Sequence, residues 1–473
     1  MRILDKHYIG GAWVNPLGND KRDIINPANA KKSGEMILGT DADVDAAVVA
    51  ARRAFETFGF SSVSDRLELL QNIVAEYQAR MTEMAEVITL EMGAPKAWAE
   101  GAHAPSGLGH LMTAIEVLKT YSFEEKLGQA TVRKEPIGVV GMITPWNWPI
   151  NQITCKVAPA IATGCTMVLK PSEVTPYSAQ LFTEIMHKAG VPAGVYNVVY
   201  GEGPTVGETM SLHPDIDMIS ITGSGRAGAA VQANAAKTIK RVTQELGGKS
   251  ANIVLDDADF EKVVARSAIG VMTNTGQTCT ALSRMLVPND KVELASEIAA
   301  KAVCTVVSGD PQDPATTMGP IAHEIQYKKV GHMIQEAVDE GATLVAGGAD
   351  RPDTAPAEGF YVKPTVFSGV TPEMTIAKEE VFGPVLAIMG YEDEEDAIRI
   401  ANDSPYGLSG AVQSGDPERA RRVAAKLRTG MVLINGARNE LMAPFGGYKQ
   451  SGNGREWGPH AFADFLELKS VME

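Results

Sequence analysis

Only four cysteines occur in 473 residues, Cys155, Cys165, Cys279 and Cys304, and no two of them form a Cys-x-x-Cys pair. So few, so irregularly spaced, they exclude a disulfide framework and point to a reducing compartment, read here as the cytoplasm. Long apolar runs are also missing. Nothing approaches the roughly 18 uninterrupted apolar residues that span a bilayer, and the opening "MRILDKHYIGGAWV" lacks the apolar core of a signal peptide, so no membrane partner is expected. Histidine is scarce: the eight, at 7, 103, 110, 187, 213, 323, 332 and 460, never come closer than seven apart. Helical ligand pairs at i, i+4 are therefore lacking, and no bound catalytic metal is expected. Positive charge is in deficit as well. Lys plus Arg number 43 against 58 Asp plus Glu, and the net charge of −15 repels phosphate backbones, so nucleic acid is not an expected partner.

What is present is the composition of a globular chain, 44% apolar and 21% charged, too long for one hydrophobic core. Two short β-prone runs flank Gly10-Gly11 and predict a hairpin. Two amphipathic helices follow. In "DADVDAAVVAARRAF", Val44, Ala47, Val48, Ala51 and Phe55 share a face with Asp43 as the expected N-cap, and Leu67, Leu70, Val74, Tyr77 and Met81 repeat the pattern. From about residue 137, apolar runs such as "IGVVGMIT", "TMVLK", "VYNVVYG" and "DMISITG" alternate with helical stretches. A second series begins at "SANIVL" and passes through "SRMLVP" to "MVLING". Each is the signature of a parallel sheet built from βαβ units, so the fold class is α/β with two such domains. "QATVRKE" and the tail "FADFLELKSVM" alternate at strand period and predict one small sheet drawn from distant parts of the chain.

The stretch "NTGQTCTA" places Cys279 in a polar loop beside Gly276. A packed cysteine sits among apolar neighbours, and Cys155, Cys165 and Cys304 are read that way. A nucleophile needs thiolate character, which a polar loop can supply. "TGSGRAG" follows a strand-like run and opens a helix, so Gly223, Gly225 and Gly228 match G-x-G-x-x-G. Under that fingerprint the acidic ribose ligand would be Glu245, 17 residues beyond Gly228.

"TPWNWP", "LKPSE", "ITGS", "ELGGKS", "GQTC", "EEVFGPV" and "PFGGYKQSGNGRE" occur in that order through nearly the whole chain. Together they resemble the NAD(P)-dependent aldehyde dehydrogenase superfamily. The resemblance implies that Cys279 is the nucleophile, that Asn147 and the Cys279 backbone amide hold the developing oxyanion, and that Glu245 is the general base that activates water rather than a ribose ligand. It further implies that Lys170 and Glu173 bind the adenine-side ribose, that Trp146, Gly223 and Ser224 approach the pyrophosphate, and that Glu380 and Phe382 hold the nicotinamide riboside. The expected cofactor is NAD, with NADP as the alternative, because Glu173 repels a 2′-phosphate while Arg226 or Lys170 offsets that repulsion. It implies a nucleotide-binding domain over 1–120 and 137–247, a catalytic domain over 248–445, and an oligomerisation element from 121–136 and 446–473 that forms a homodimer or homotetramer.

Some positions depart from the family pattern. Arg226 stands where a neutral or acidic residue is frequent, Trp148 replaces a frequent phenylalanine, and Thr273 occupies an often aromatic site. Trp148, Thr273, Thr278 and Arg438 are the candidate substrate-pocket residues. Arg438 is a candidate clamp for a distal carboxylate, against the plainer reading that it pairs with Glu440 or faces water. The expected reaction is oxidation of an aldehyde to the carboxylic acid through a cysteine thioester. Aromatic or medium-chain aldehydes rank ahead of carboxylated semialdehydes. The rivals are a coenzyme A acylating enzyme, in which a thiol cleaves the thioester, a nucleotide-binding relative without turnover, and a metal alcohol dehydrogenase.

Overall fold

A computed structural model describes residues 2–472. Its larger sheet has eight strands, in the order Gly452–Asn453, Arg241–Glu245, Met218–Thr222, Val139–Ile143, Thr166–Lys170, Tyr196–Val198, His7–Ile9 and Ala12–Val14. The five from Arg241–Glu245 to Tyr196–Val198 run parallel, and the outer ones are antiparallel. Strands such as Val139–Ile143 and Thr166–Lys170 are buried along their whole length, which is why they read as unbroken apolar runs. The second sheet has seven strands, Thr343–Ala346, Thr365–Ser368, Val385–Tyr391, Arg284–Pro288, Ala251–Val254, Ser409–Gln413 and Met431–Ile434, parallel except at the first pair. The architecture is α/β, as expected. The hairpin at Gly10-Gly11 forms, both glycines having positive φ.

The distant strand-period segments do meet. Leu466–Met472 pairs antiparallel with Ala130–Pro136, which pairs in turn with Glu124–Leu127. A further small sheet joins Arg2–Leu4, Lys31–Ile37 and Lys21–Asn26.

Two local expectations need correction. Helix Asp41–Phe58 starts after Thr40, not Asp43. Asp43 lies three positions inside, where its buried carboxylate accepts the Thr40 backbone N–H and hydroxyl at 2.8 Å each. Both residue types suit helix starts, so the sequence pattern points to either. The second helix, Val63–Ala79, stops before Met81, which begins helix Met81–Met92, and its buried face is centred on Leu70, Ile73 and Tyr77.

Candidate active site

The turn between strand Val139–Ile143 and helix Pro149–Thr163 carries "TPWNWP", and Pro149 opens the helix at the one place where a missing N–H costs nothing. Asn147 in that turn is buried and donates from Nδ2 to the Gln277 carbonyl at 3.0 Å. One amide hydrogen is thereby committed, and the other remains to be aimed.

The thiol comes from the other sheet's side. After helix Phe260–Met272, Asn274, Thr275 and Gly276 all adopt positive φ, at 54°, 57° and 69°. A Cβ at Gly276 would stand 2.0 Å from the Gly383 carbonyl oxygen, so only glycine fits there. This left-handed turn delivers Gln277, Thr278 and Cys279 beside Asn147. Cys279 is a free, half-buried thiol, pushed above the ordinary thiol range by burial and then by the carboxylates of Glu380, Glu245 and Glu456.

One cleft is lined by Cys279, Asn147, Trp146, Gly223, Ser224, Glu380 and Phe382. Ser224 caps helix Gly225–Ala235 by accepting the Ala227 N–H at 3.3 Å, and no atom stands within 4 Å of where a side chain on Gly225 would begin. An open helix N-terminus of this kind suits phosphate oxygens. Trp146 packs edge-on to Phe382, with ring centroids 5.4 Å apart, and Phe382 holds a positive φ of 56°. Glu380 accepts the Gly248 N–H at 3.0 Å, and burial pushes its carboxyl up to about 7.

Glu245 ends strand Arg241–Glu245, just behind the cleft wall formed by Leu246 and Gly247. It is buried, and neither carboxylate oxygen has a hydrogen-bond partner among the described residues. Burial, reinforced by the neighbouring Glu456 carboxylate, raises its pKa well above the ordinary carboxylate range, while Lys156 and Arg455 pull the other way. Glu456 is itself held by the Lys156 ammonium and accepts the Cys155 S–H at 3.3 Å.

Lys170 and Glu173 follow strand Thr166–Lys170. The buried Lys170 ammonium donates to the carbonyls of Pro171 and Gly201, both at 2.9 Å, and to Glu173 at 3.3 Å. These three contacts hold the ammonium against Glu173 and orient that carboxylate. Burial works to raise the Glu173 carboxyl, but Lys170, its own backbone N–H and Arg22 hold it below its usual value.

Of the candidate substrate residues, Trp148 donates from Nε1 to the Thr278 hydroxyl at 3.1 Å, and Thr273 caps the preceding helix beside them. Arg438 is exposed and without an ion pair among the described residues. His103, Asn274, Lys156 and Glu456 belong to the site's surroundings and carried no assignment from sequence. Glu456 closes the "PFGGYKQSGNGRE" motif, which was its one visible signal. Among the described residues no three His, Cys, Asp or Glu side chains gather as a metal site requires, and no helix is long and apolar enough to cross a membrane.

Comparison with known proteins places the chain in a family. The sequence model of the aldehyde dehydrogenase family matches residues 13–471. The chain is 53% identical over 473 residues to the 3-succinoylsemialdehyde-pyridine dehydrogenase of a Pseudomonas species, covering 100% of this chain and 99% of that protein. A mutant of aldehyde dehydrogenase C from Pseudomonas syringae, solved with NAD+ and octanal, superposes with a TM-score of 0.98 at 48% identity, covering 99% of this chain and 96% of that one. Betaine aldehyde dehydrogenase from Staphylococcus aureus, solved with NAD+, gives 0.95 at 37% identity, covering 99% and 94%.

Proposed function

The chain belongs to the aldehyde dehydrogenase family, and from that premise we propose how its own residues carry out NAD-dependent oxidation of an aldehyde to the carboxylic acid. The observation that carries the assignment is the single cleft lined by Cys279 and Asn147 at one end and by Gly223, Ser224, Glu380 and Phe382 along its wall. Cys279 gives up its thiol proton to solvent and adds to the carbonyl carbon, the C=O electron pair moving onto oxygen to give the hemithioacetal anion. Asn147, with one amide hydrogen tied to Gln277, points the other at the aldehyde oxygen as negative charge gathers there. When bound, NAD+ supplies the hydride acceptor. Gly223 and Ser224 receive the pyrophosphate at the helix start, with Trp146 packed alongside. Glu380 and Phe382 hold the nicotinamide riboside. Glu245 then takes a proton from the water that cleaves the thioester.

NAD+ is the preferred cofactor in this reading. Lys170 and Glu173 bind the adenine-side ribose in this reading, and because Glu173 is held ionised a 2′-phosphate there meets a carboxylate. The substrate is an aldehyde with an aromatic or medium-length apolar body. Support comes from Trp148 beside Thr278, and from relatives named for, or solved with, a pyridine semialdehyde and octanal. Carboxylated semialdehydes rank second, because Arg438 is exposed rather than enclosed. We assign nucleotide binding to 1–120 and 137–247, catalysis to 248–445, and self-association as a dimer or tetramer to 121–136 and 446–473. Four free cysteines fit a cytoplasmic protein.

The test is NADH release over a panel of aldehydes, with and without coenzyme A. Aldehyde-dependent release without coenzyme A is expected, and Cys279→Ala abolishes it while NAD+ binding persists. Turnover that requires coenzyme A would transfer the chemistry to an acylating enzyme.

A further inference from the structure

Among the described residues His103 is the one fully buried imidazole with a hydrogen bond to the loop carrying the thiol, and the reaction as described gives it no task. It closes a π-helical turn, Ala99–His103, inserted between helices Lys96–Trp98 and Ala104–Thr120. The widened turn ends two residues before Pro105, which has no N–H to give a regular helix and whose ring crowds the preceding turn. The extra residue in the turn alters the register of the helix at His103. Its ring stacks on Trp148, with centroids 4.1 Å apart and planes 20° from parallel, and its Nε2 lies 3.0 Å from Asn274 Oδ1.

The hydrogen bonds around Asn274 fix every role. Asn274 Nδ2 donates to the Asn147 carbonyl at 3.0 Å and to the Gln277 carbonyl at 3.2 Å. Its Oδ1 is therefore the atom facing His103, and His103 must carry its proton on Nε2. Nδ1 keeps a lone pair with no partner among the described residues. Burial pushes the imidazole down to about 4, against the Asn274 hydrogen bond, so the ring is neutral and this tautomer persists at neutral pH. The Gln277 carbonyl also receives the Asn147 side chain at 3.0 Å. One imidazole N–H thus anchors the amide that ties the Asn147 turn to the Cys279 loop.

We propose that His103 is a positioning residue for attack on the aldehyde: acting through Asn274, it sets the angle between the Asn147 amide and the Cys279 thiol. The proposal rests on the reading of Asn147 as oxyanion donor. It separates two functions of one ring, the N–H that orders the catalytic loop and the flat face that supports Trp148 on the substrate side.

Two substitutions divide those functions. His103→Phe keeps an aromatic face and loses the donor, and it should lower kcat by roughly tenfold to a hundredfold with little change in aldehyde KM. His103→Gln keeps an N–H donor and loses the stack, and it should retain most of kcat while raising KM for an aryl aldehyde. Equal losses of kcat in both, or an unchanged kcat in His103→Phe, would overturn the proposal. Asn147→Ala separates its failure from that of the underlying reading. If Asn147→Ala leaves kcat intact, the oxyanion assignment falls and the proposal with it. If Asn147→Ala is slow, adding His103→Phe should cost little more, because both act on one contact, and a full independent loss would overturn the proposal alone. Should His103→Phe fail to fold, Asn274→Asp replaces it. Aspartate tolerates the positive φ, keeps the acceptor for His103 and removes both Nδ2 donations. It should reproduce the kcat loss, and wild-type turnover would overturn the proposal.

Discussion

As the proposed general base, Glu245 faces two opposed requirements, since a base must be ionised and its burial beside Glu456 favours the protonated form. The sign of the consequence is fixed. Because the raised pKa must be exceeded before the carboxylate can take a proton, thioester hydrolysis should increase with pH, along a limb displaced above the ordinary glutamate value of about 4.3. Glu245→Gln should give a burst of about one NADH per active site, then a slow, pH-independent steady state. Pre-steady-state absorbance measures both, and an unchanged steady-state rate would assign the base elsewhere. Glu173 titrates the other way: Lys170 and Arg22 hold it ionised despite burial. Glu173→Gln should raise the kcat/KM ratio of NADP+ to NAD+ by roughly tenfold, the scale of removing one charge a few ångströms from a phosphate. A ratio that does not move would leave cofactor choice to other residues, Arg226 first among them.

The left-handed turn ahead of Cys279 stores strain that the elements around it hold in place. Thr275, β-branched and at φ 57°, is fixed by its hydroxyl donating to the Gly319 carbonyl at 3.0 Å, and Gly276 passes against Gly383. Gly276→Ala should therefore destabilise the protein by about 1–3 kcal/mol and abolish most of the burst, because Cys279 lies three residues on. Thermal melting and burst amplitude report the two effects, and wild-type values of both would sink the argument. Composition and motif spacing make the strand runs and the "GQTC" loop legible, since buried parallel strands and a glycine with no room for Cβ leave local marks. Asn274 and His103 leave none. Their bond joins positions 171 residues apart, and a π turn has no periodic signature of its own. The same holds for Lys156 and Glu456, paired across 300 residues. The helix start at Thr40 was ambiguous for the opposite reason, as two good capping residues stand three apart.

At the scale of the whole molecule, the proposed self-association through the three-stranded sheet makes a prediction that follows from its register. Met472 pairs with Ala130, and Ala130 with Leu127, so these three side chains share a face. Two residues along, Val132 joins them, and Leu468 lies on the same face of its strand. Glu125, opposite Val132, and Lys134, opposite Leu468, share this face with them, while Glu124, Arg133, Lys469 and Glu135 lie on the other. Leu127, Leu468 and Met472 are 55%, 72% and 76% exposed, three large apolar side chains on one face of a chain of net charge −15. In the self-association proposed for this sheet, like charge opposes the meeting of two copies and covering this face favours it, so salt should strengthen association by screening the first and sparing the second. The double substitution Leu468→Lys and Met472→Lys should shift sedimentation to a smaller species while the burst per active site survives, because the face belongs to neither the thiol loop nor the cofactor cleft. A wild-type chain that sediments as a monomer, or a double variant that sediments as the wild type does, would remove the small sheet from the interface.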